Sequence, residues 1–499
     1  MEERTTEGDR VVGEGYERLG AKKLSLIDVL AQSVGFMGPV FSAAFIIPLI
    51  IGVNAAARGA GTSAPLAVLL AAIGVFALGW IVAQYAKRIH AAGSLYDYVS
   101  NGLGRTVGAA TGWLYYAGTI ILTIGLGVLI GGYIHDNLWP GLFDGDLAPG
   151  PIWMWDAILT LGLFAVLYFG VKISTRVQLT LALVSVVVVL IFFITVIADL
   201  GSDNDIAKAF DPSPSGGFSG ILFGVLYGVL IFVGFETAAN LAEETAEPKR
   251  SIPRAVLGAV VIVSIFYLIA SYAEVAGFGF DLSVITSPEV AGAPLFVLGA
   301  PGSPSGSEFW LKVLLVVVFF DMLAVYVGAA VASTRGTFAM ARDRRLPGAL
   351  ATVSSKYGTP TGAIVLLIAL QIVLIIVAEG NDTLLVLAPG LPHYFSIFVW
   401  CSTFGGFALL VVYLLMSVGS LRGLSGSEGF GGIVIAAILG ILISGAAIFG
   451  SFYKVTSPTL IAPWAAVIWF ALGLLYMAAV KGREPASEAL DDLRSGAGL

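Results

Sequence analysis

The run Tyr227–Ala255 reads YGVLIFVGFETAANLAEETAEPKRSIPRA, and it starts as membrane and ends in water. From Gly220 to Phe235 there is no charge; Glu236 then follows Gly234 and Phe235. Two turns further on come Glu243 and Glu244, then Lys249, Arg250 and Arg254. An acid as deep as Glu236 is too costly on a lipid-facing surface. Gly234 beside it has no Cβ, so the helix can open there and leave backbone groups free. A helix that opens in mid-membrane beside a carboxylate is expected to hold a small polar solute. The same residues also suit a packing glycine and a neutral acid turned towards another helix.

The rest of the chain supports a membrane setting. Of its 499 residues, 58% are hydrophobic and 12% charged, with mean hydropathy +0.93. A soluble chain of this length carries about twice that share of charge. Nothing basic is clustered in the way nucleic acid requires. Cys401 is the single cysteine, so no intrachain disulfide forms, and its apolar surroundings predict a packed thiol. His90, His135 and His393 are far apart, without metal-ligand spacing.

Twelve apolar segments have the length of a bilayer-spanning helix, roughly twenty residues. Their cores are 26–51, 64–86, 108–134, 153–171, 177–199, 217–241, 255–278, 310–341, 361–378, 393–418, 431–451 and 460–480. With both termini inside, 22 of the 26 Lys and Arg face the cytoplasm, including Arg88, Lys249 and Arg342. Only Arg58, Lys208, Lys312 and Lys454 face outwards. This bias predicts the orientation and an even number of spans. The outer loops are acidic instead, at Asp136, Asp144, Asp146, Asp203, Asp205 and Asp211, and Trp139, Trp153 and Trp155 suit an interfacial belt. The tail 1–24 lacks the apolar core of a cleavable signal and reads as cytoplasmic, as does 482–499.

The first span is interrupted at Ser33-Val34-Gly35-Phe36-Met37-Gly38-Pro39, where a proline without an N–H stands among glycines. Spans 1 and 6 thus both carry a predicted break, five helices apart. Paired breaks at matching positions of two halves point to a solute site between inverted repeats; two independent kinks would leave the same pattern. Between spans 2 and 3, His90–Tyr98 is too polar for lipid and predicts a short helical hairpin under the site. The segment from Arg335 to Pro360 carries both signs of charge and reads as a structured loop or a topology anchor.

Other acids need weighing. Asp28 is read as an end-cap at the start of span 1. Glu379 is read as solvated, and Glu274 as either a gate or a solvated group. Asp321 lies about ten residues, roughly 15 Å, into span 8, in a run without another charge. It is either a working acid or a neutral one bonded to a hydroxyl. His393 reads as structural.

Four stretches together resemble the amino acid–polyamine–organocation superfamily of secondary transporters. They are 234–254, 92–96 with Gly112-Trp113, the loop from Arg335 to Pro347, and Gly358-Thr359-Pro360. The resemblance implies an all-α integral membrane protein with a five-plus-five inverted-repeat, LeuT-like fold and two extra C-terminal helices. Its parts would be 25–200 and 216–418 as repeats, with 430–481 as spans 11 and 12. It implies solute in the breaks, at Ser33, Gly35, Met37, Gly38, Pro39 and Val40 of span 1 and Phe232, Val233, Gly234 and Phe235 of span 6. Glu236 and Asp321 would serve coupling or gating, Glu236 matching an acid found in arginine-exchanging relatives.

The chain departs from the family in two places. Many members have Gly-Ser-Gly-Ile-Phe in span 1, whose free amides hold a substrate carboxylate. Here Gly38-Pro39-Val40-Phe41 stands instead, so these contacts are expected to differ, or the solute is not an ordinary α-amino acid. Relatives of one branch carry a proton-coupling lysine near the position of Ser185, which puts lysine-based coupling in doubt.

The expected function is a permease of the cell membrane for amino acids or related amines, driven by protons or exchange and needing no cofactor. Polyamines or other organic cations are the alternative solutes. An ATP-driven pump lacks its Walker motif, an intramembrane enzyme lacks His-Glu-x-x-His or a Ser/His pair, and a sensor lacks a signalling domain. Oligomeric state is left open.

Overall fold

Twelve helices are long and apolar enough to cross a membrane. They come from a computed structural model that describes residues 24–480, apart from 53–58, 144, 214–217, 288–289, 291–292, 382–384, 387–391, 454 and 456. Spans 1 to 6 are Leu26–Phe45, Gly61–Ala86, Arg105–Leu142, Ile152–Phe169, Leu179–Asp199 and Gly220–Glu244. Spans 7 to 12 are Pro248–Ala276, Glu308–Arg342, Thr361–Glu379, His393–Gly423, Phe430–Gly450 and Ile461–Ala479. No β-strand occurs among the described residues, only isolated bridges. The number of spans matches the sequence reading, and the boundaries move by a few residues.

Burial separates an inner set from an outer one. Span 1 buries 78% of its most apolar window and span 6 buries 81%, whereas spans 4, 5, 9, 11 and 12 bury only 22–33%. Hydrocarbon outside gives no hydrophobic drive between helices, so packing of small residues has to hold the inner set together. Spans 3 and 10 show how. A Cβ on Gly118 would lie 2.8 Å from that of Ala408, and one on Gly405 would lie 2.8 Å from the Gly118 carbonyl. The two backbones therefore touch. Cys401 is buried at the same crossing, opposite Gly125, as its apolar context predicted. Spans 11 and 12 pack on the outside of spans 2, 3, 6 and 10.

The breaks fall where the sequence placed them. Helix Leu26–Met37 ends at Gly38, which adopts φ +56, and a second helix starts with Pro39 at its first turn. Span 6 runs as α-helix from Phe218 to Leu230, turns through 231–234 with Gly234 at φ +112, and continues as a 3-10 helix over Phe235–Glu244. Positive φ is costly for any residue with a Cβ, so glycine is required at both points. Ten residues of 3-10 helix are unusual, because its hydrogen bonds are poorer than those of an α-helix.

Asp28 caps span 1 as expected: its carboxylate accepts from the Ser25 N–H and hydroxyl, both at 2.8 Å. The polar stretch after span 2 forms one short helix, Leu95–Leu103, tied back by Tyr116, whose hydroxyl donates to the Gly93 carbonyl at 2.6 Å. The solvated reading of Glu274 does not hold. It is fully buried and neither carboxylate oxygen has a hydrogen-bond partner among the described residues. Glu379 is exposed at its helix end.

The basic loops gather at one end of the bundle. Leu24 pairs with the strand-like stretch after span 6, donating to the Glu244 carbonyl and accepting from Ala246, each at 3.0 Å. The Arg335 guanidinium meets the Glu244 carboxylate at 2.8 Å, and Arg342 forms a bidentate pair with Glu243 at 2.7 and 2.9 Å. At the other end Ser63 donates to the Asp211 carbonyl, Ser305 to Asp199, and Tyr272 to Asn204. Most of tail 1–24, all of 482–499, and Arg58, Asp144, Lys454 and Lys481 lie outside the described residues, as do the side chains of Lys172 and Arg176. With the basic end in the cytoplasm, as the charge bias predicts, cysteine at Asp146 reacts with an impermeant thiol reagent in intact cells and cysteine at exposed Lys249 does not. The reverse labelling pattern refutes this orientation.

Candidate functional site

A helix broken inside a membrane leaves peptide groups that water cannot reach, and each must find a partner in the protein. In this chain the two breaks supply partners to each other. The Ser33 hydroxyl donates to the Phe235 carbonyl at 2.8 Å and accepts from the Ala238 N–H at 3.1 Å, joining span 1 to span 6. Thr237 donates to the Gly234 carbonyl at 2.7 Å. Tyr267 on span 7 donates to both breaks: its hydroxyl lies 3.2 Å from the Met37 carbonyl and 2.6 Å from that of Ile231. Ser42 adds a second donor to Met37 at 3.1 Å.

Gly234 lies directly against the first break. A Cβ there would sit 2.8 Å from the Phe36 ring and 3.2 Å from the Met37 nitrogen. The residues expected at the site, Ser33, Gly35, Met37, Gly38, Pro39 and Val40 with Phe232, Val233, Gly234 and Phe235, are all buried, and of these Ser33 meets Phe235 and Met37 meets Gly234 at this crossing. The Phe232 ring stands edge-on to Tyr267 at 5.2 Å, and Phe235 packs on Tyr413 at 5.4 Å.

The two acids sit on opposite sides of the crossing. Glu236 is fully buried and accepts three hydrogen bonds: from the Tyr115 hydroxyl of span 3 at 3.1 Å, the Tyr413 hydroxyl of span 10 at 2.9 Å, and the Gly234 N–H at 3.3 Å. It therefore ties the second break to spans 3 and 10. Asp321 of span 8 is fully buried against the first break and accepts from the Phe41 N–H at 2.7 Å. Ser185, at the place of the lysine in one family branch, donates to the Val317 carbonyl at 2.7 Å, one turn before Asp321.

Both ends of the crossing are closed. On the basic side stand the Arg335–Glu244 and Arg342–Glu243 pairs, with the short helix Leu95–Leu103 anchored through the Ala92 N–H to Glu243 at 3.0 Å. On the other side Phe41, Phe45, Tyr133, Phe296 and Phe398 form a chain of ring contacts 5.7–6.3 Å apart. The tyrosines were missed by sequence reasoning. Tyr115, Tyr267 and Tyr413 lie in apolar helices where nothing local marks which face meets a broken neighbour.

This geometry makes two predictions. Tyr267→Phe keeps the ring and removes the donor shared by both breaks, so it should lower stability by about 1–3 kcal/mol, the cost of leaving the buried Ile231 carbonyl without its side-chain donor while Ser42 still serves Met37. Thermal unfolding in detergent reads this, and an unchanged Tm refutes the role. Gly234→Leu, which meets the Phe36 ring at a positive φ, should still insert in the membrane but lose solute transport. Wild-type uptake in that variant excludes the second break from the site.

Comparison with known proteins agrees with this geometry. The family described as amino acid permease matches residues 34–425. The chain is 24% identical to the methylthioribose transporter of Bacillus subtilis, over 68% of this chain and 71% of that one. It is 22% identical to the branched-chain amino acid permease BcaP of Bacillus subtilis, covering 70% and 74%. It is 24% identical to the gamma-aminobutyric acid permease of Escherichia coli, covering 75% and 76%. The fold is similar to the crystal structure of MhsT in complex with L-phenylalanine, with TM-score 0.56 and 17% identity over 92% of this chain and 99% of that one. With twelve helices in this LeuT-like arrangement and a family match over most of its length, the chain belongs to the amino acid permease family and is a secondary transporter, not an enzyme.

Proposed function

We propose that this transporter moves amino acids or related amines across the cytoplasmic membrane by alternating access around the two breaks, with both termini in the cytoplasm. One observation carries the reading: the breaks of spans 1 and 6 meet, and Ser33 and Tyr267 bridge their backbones. A solute held there sits between two helices that hinge at Gly38 and Gly234. Residues 25–200 and 216–418 act as the inverted repeats around it, and 430–481 packs outside them. The ion pairs of Glu243 and Glu244 form the cytoplasmic gate, and the aromatic chain from Phe41 to Phe398 forms the outer one. Two relatives, a branched-chain amino acid permease and a gamma-aminobutyric acid permease, support a small amine-bearing solute.

Glu236 couples this movement to protons. An ionised carboxylate only accepts hydrogen bonds, and three donors converge on this one. A proton on one oxygen makes it a donor, so a tyrosine hydroxyl there must reverse and accept, and the bond of the Gly234 N–H to Oε2 is weakened when that oxygen takes the proton. The bond to Gly234 belongs to the break itself, which links proton occupancy to the shape of the site. With no lysine at the position of Ser185, this role falls to a buried acid, and Glu236 is the one bonded to the break of span 6. In proteoliposomes, Glu236→Gln should flatten the pH dependence of transport while ligand still raises the unfolding temperature. An unchanged pH profile in a folded Glu236→Gln variant removes the coupling role and leaves Glu236 as a tie between spans 3, 6 and 10.

A further inference from the structure

A helix that begins in mid-membrane presents unpaired N–H groups and a partial positive charge, and so attracts an anion. In the second half of span 1, Pro39 has no N–H, which leaves Val40 and Phe41 as the first donors. Asp321 Oδ2 accepts the Phe41 N–H at 2.7 Å, at the start of this half-helix. The chain thus fills this anion position with its own acid, carried in by span 8. A solute carboxylate meets another carboxylate there, already bonded to the Phe41 amide.

The other oxygen, Asp321 Oδ1, is a separate observation. It is buried in a side chain with no solvent exposure, and it has no hydrogen-bond partner. No Lys or Arg among the described residues pairs with it. Tyr267 beside it spends its hydroxyl on the Met37 and Ile231 carbonyls. Gly38 keeps the approach narrow, since a Cβ on it would lie 3.4 Å from Oδ2 and run into Val325. A buried carboxylate oxygen without a donor is costly, and an ammonium group supplies both the donor and the opposite charge.

We propose that Asp321 is the resident carboxylate of the site, standing where a substrate carboxylate would bind, and that the solute is an organic amine without an α-carboxylate, its ammonium paired with Oδ1. This rests on the reading of the two breaks as the solute site, and it narrows the solute from amino acids or amines to amines.

Matched pairs of ligands test it. Each pair shares a side chain and differs by the α-carboxylate: leucine and 3-methylbutylamine, phenylalanine and phenethylamine, ornithine and putrescine, lysine and cadaverine, arginine and agmatine. Ligands that bind the folded state raise its Tm, and the concentration dependence gives an apparent Kd. For the full-length chain in detergent, the amine of at least one pair should bind at least tenfold more tightly than its amino acid. Asp321→Asn keeps an oxygen for the Phe41 N–H but removes the charge, and should weaken that amine at least tenfold. Asp321→Ala frees the Phe41 amide, and should turn the preference towards the amino acid. Wild-type preference for the amino acid of the pairs that bind overturns the proposal, and so does an amine affinity unchanged in Asp321→Asn. Both results leave the site reading intact. Binding that survives Gly234→Leu, or binding by no member of any pair, overturns the site reading and this proposal with it. The wild-type comparison decides the matter even if the variants do not fold.

Discussion

Two helices stop in the middle of the membrane, and the peptide groups released there must be paired inside the protein. Everything near the centre follows from that constraint. Each unpaired buried group costs about 1–3 kcal/mol, so a site with several of them is viable only if neighbouring helices bring donors and acceptors to the right places. Span 1 brings Ser33 and Ser42, span 6 brings Thr237, span 7 brings Tyr267, and span 8 brings Asp321. Most of these contacts cross between helices. The breaks are therefore the joints of the bundle. A joint held by a few side-chain hydrogen bonds can exchange partners, which continuous helical backbone cannot.

The basic end uses a different chemistry for the same purpose. Arg335 and Glu244 are both buried, and breaking such a pair by removing one partner costs roughly 3–5 kcal/mol. A buried pair adds little net stability over an apolar one, but it fixes register. Here the register is that of the 3-10 half of span 6 against the end of span 8. Beside it lies a crowd of acids. Asp97 on the short helix Leu95–Leu103 is pushed well above the usual carboxylate range, first by burial and then by Asp343 next to it, with Arg342 pulling the other way. Asp343 itself accepts from the Tyr96 hydroxyl at 3.1 Å. The Ala92 N–H, Arg342 and Glu243 connect this group to span 6. Movement of the second break is thus tied mechanically to the short helix and to span 8.

How much of this was legible can be judged from particular residues. The breaks were legible, because Pro39 removes an N–H and Gly38 and Gly234 remove a Cβ wherever they stand. Asp28 was legible as a cap, since its partner Ser25 is three residues away. Glu236 and Asp321 were legible as buried acids from the uncharged runs around them. Their partners were not. Tyr115 and Tyr413 are 121 and 177 residues from Glu236, and Asp321 is 280 residues from Phe41. Of the two readings of Glu274, gate or solvated group, the solvated one fell, because the packing that buries it leaves no local mark in the helix.

The sequence by itself determined the membrane setting, the twelve spans, the positions of the two breaks and the family. Each rests on composition, on hydrophobic length or on a residue whose backbone chemistry is the same in any context. Only the tertiary structure decided what the breaks and acids are bonded to. Hydrogen bonds between helices depend on rotation and packing, and a hydrophobic helix carries no periodic signal when most of its faces are apolar. It took the packing of spans 1 and 8 to show that the Phe41 amide, two residues past Pro39, is already held by Asp321.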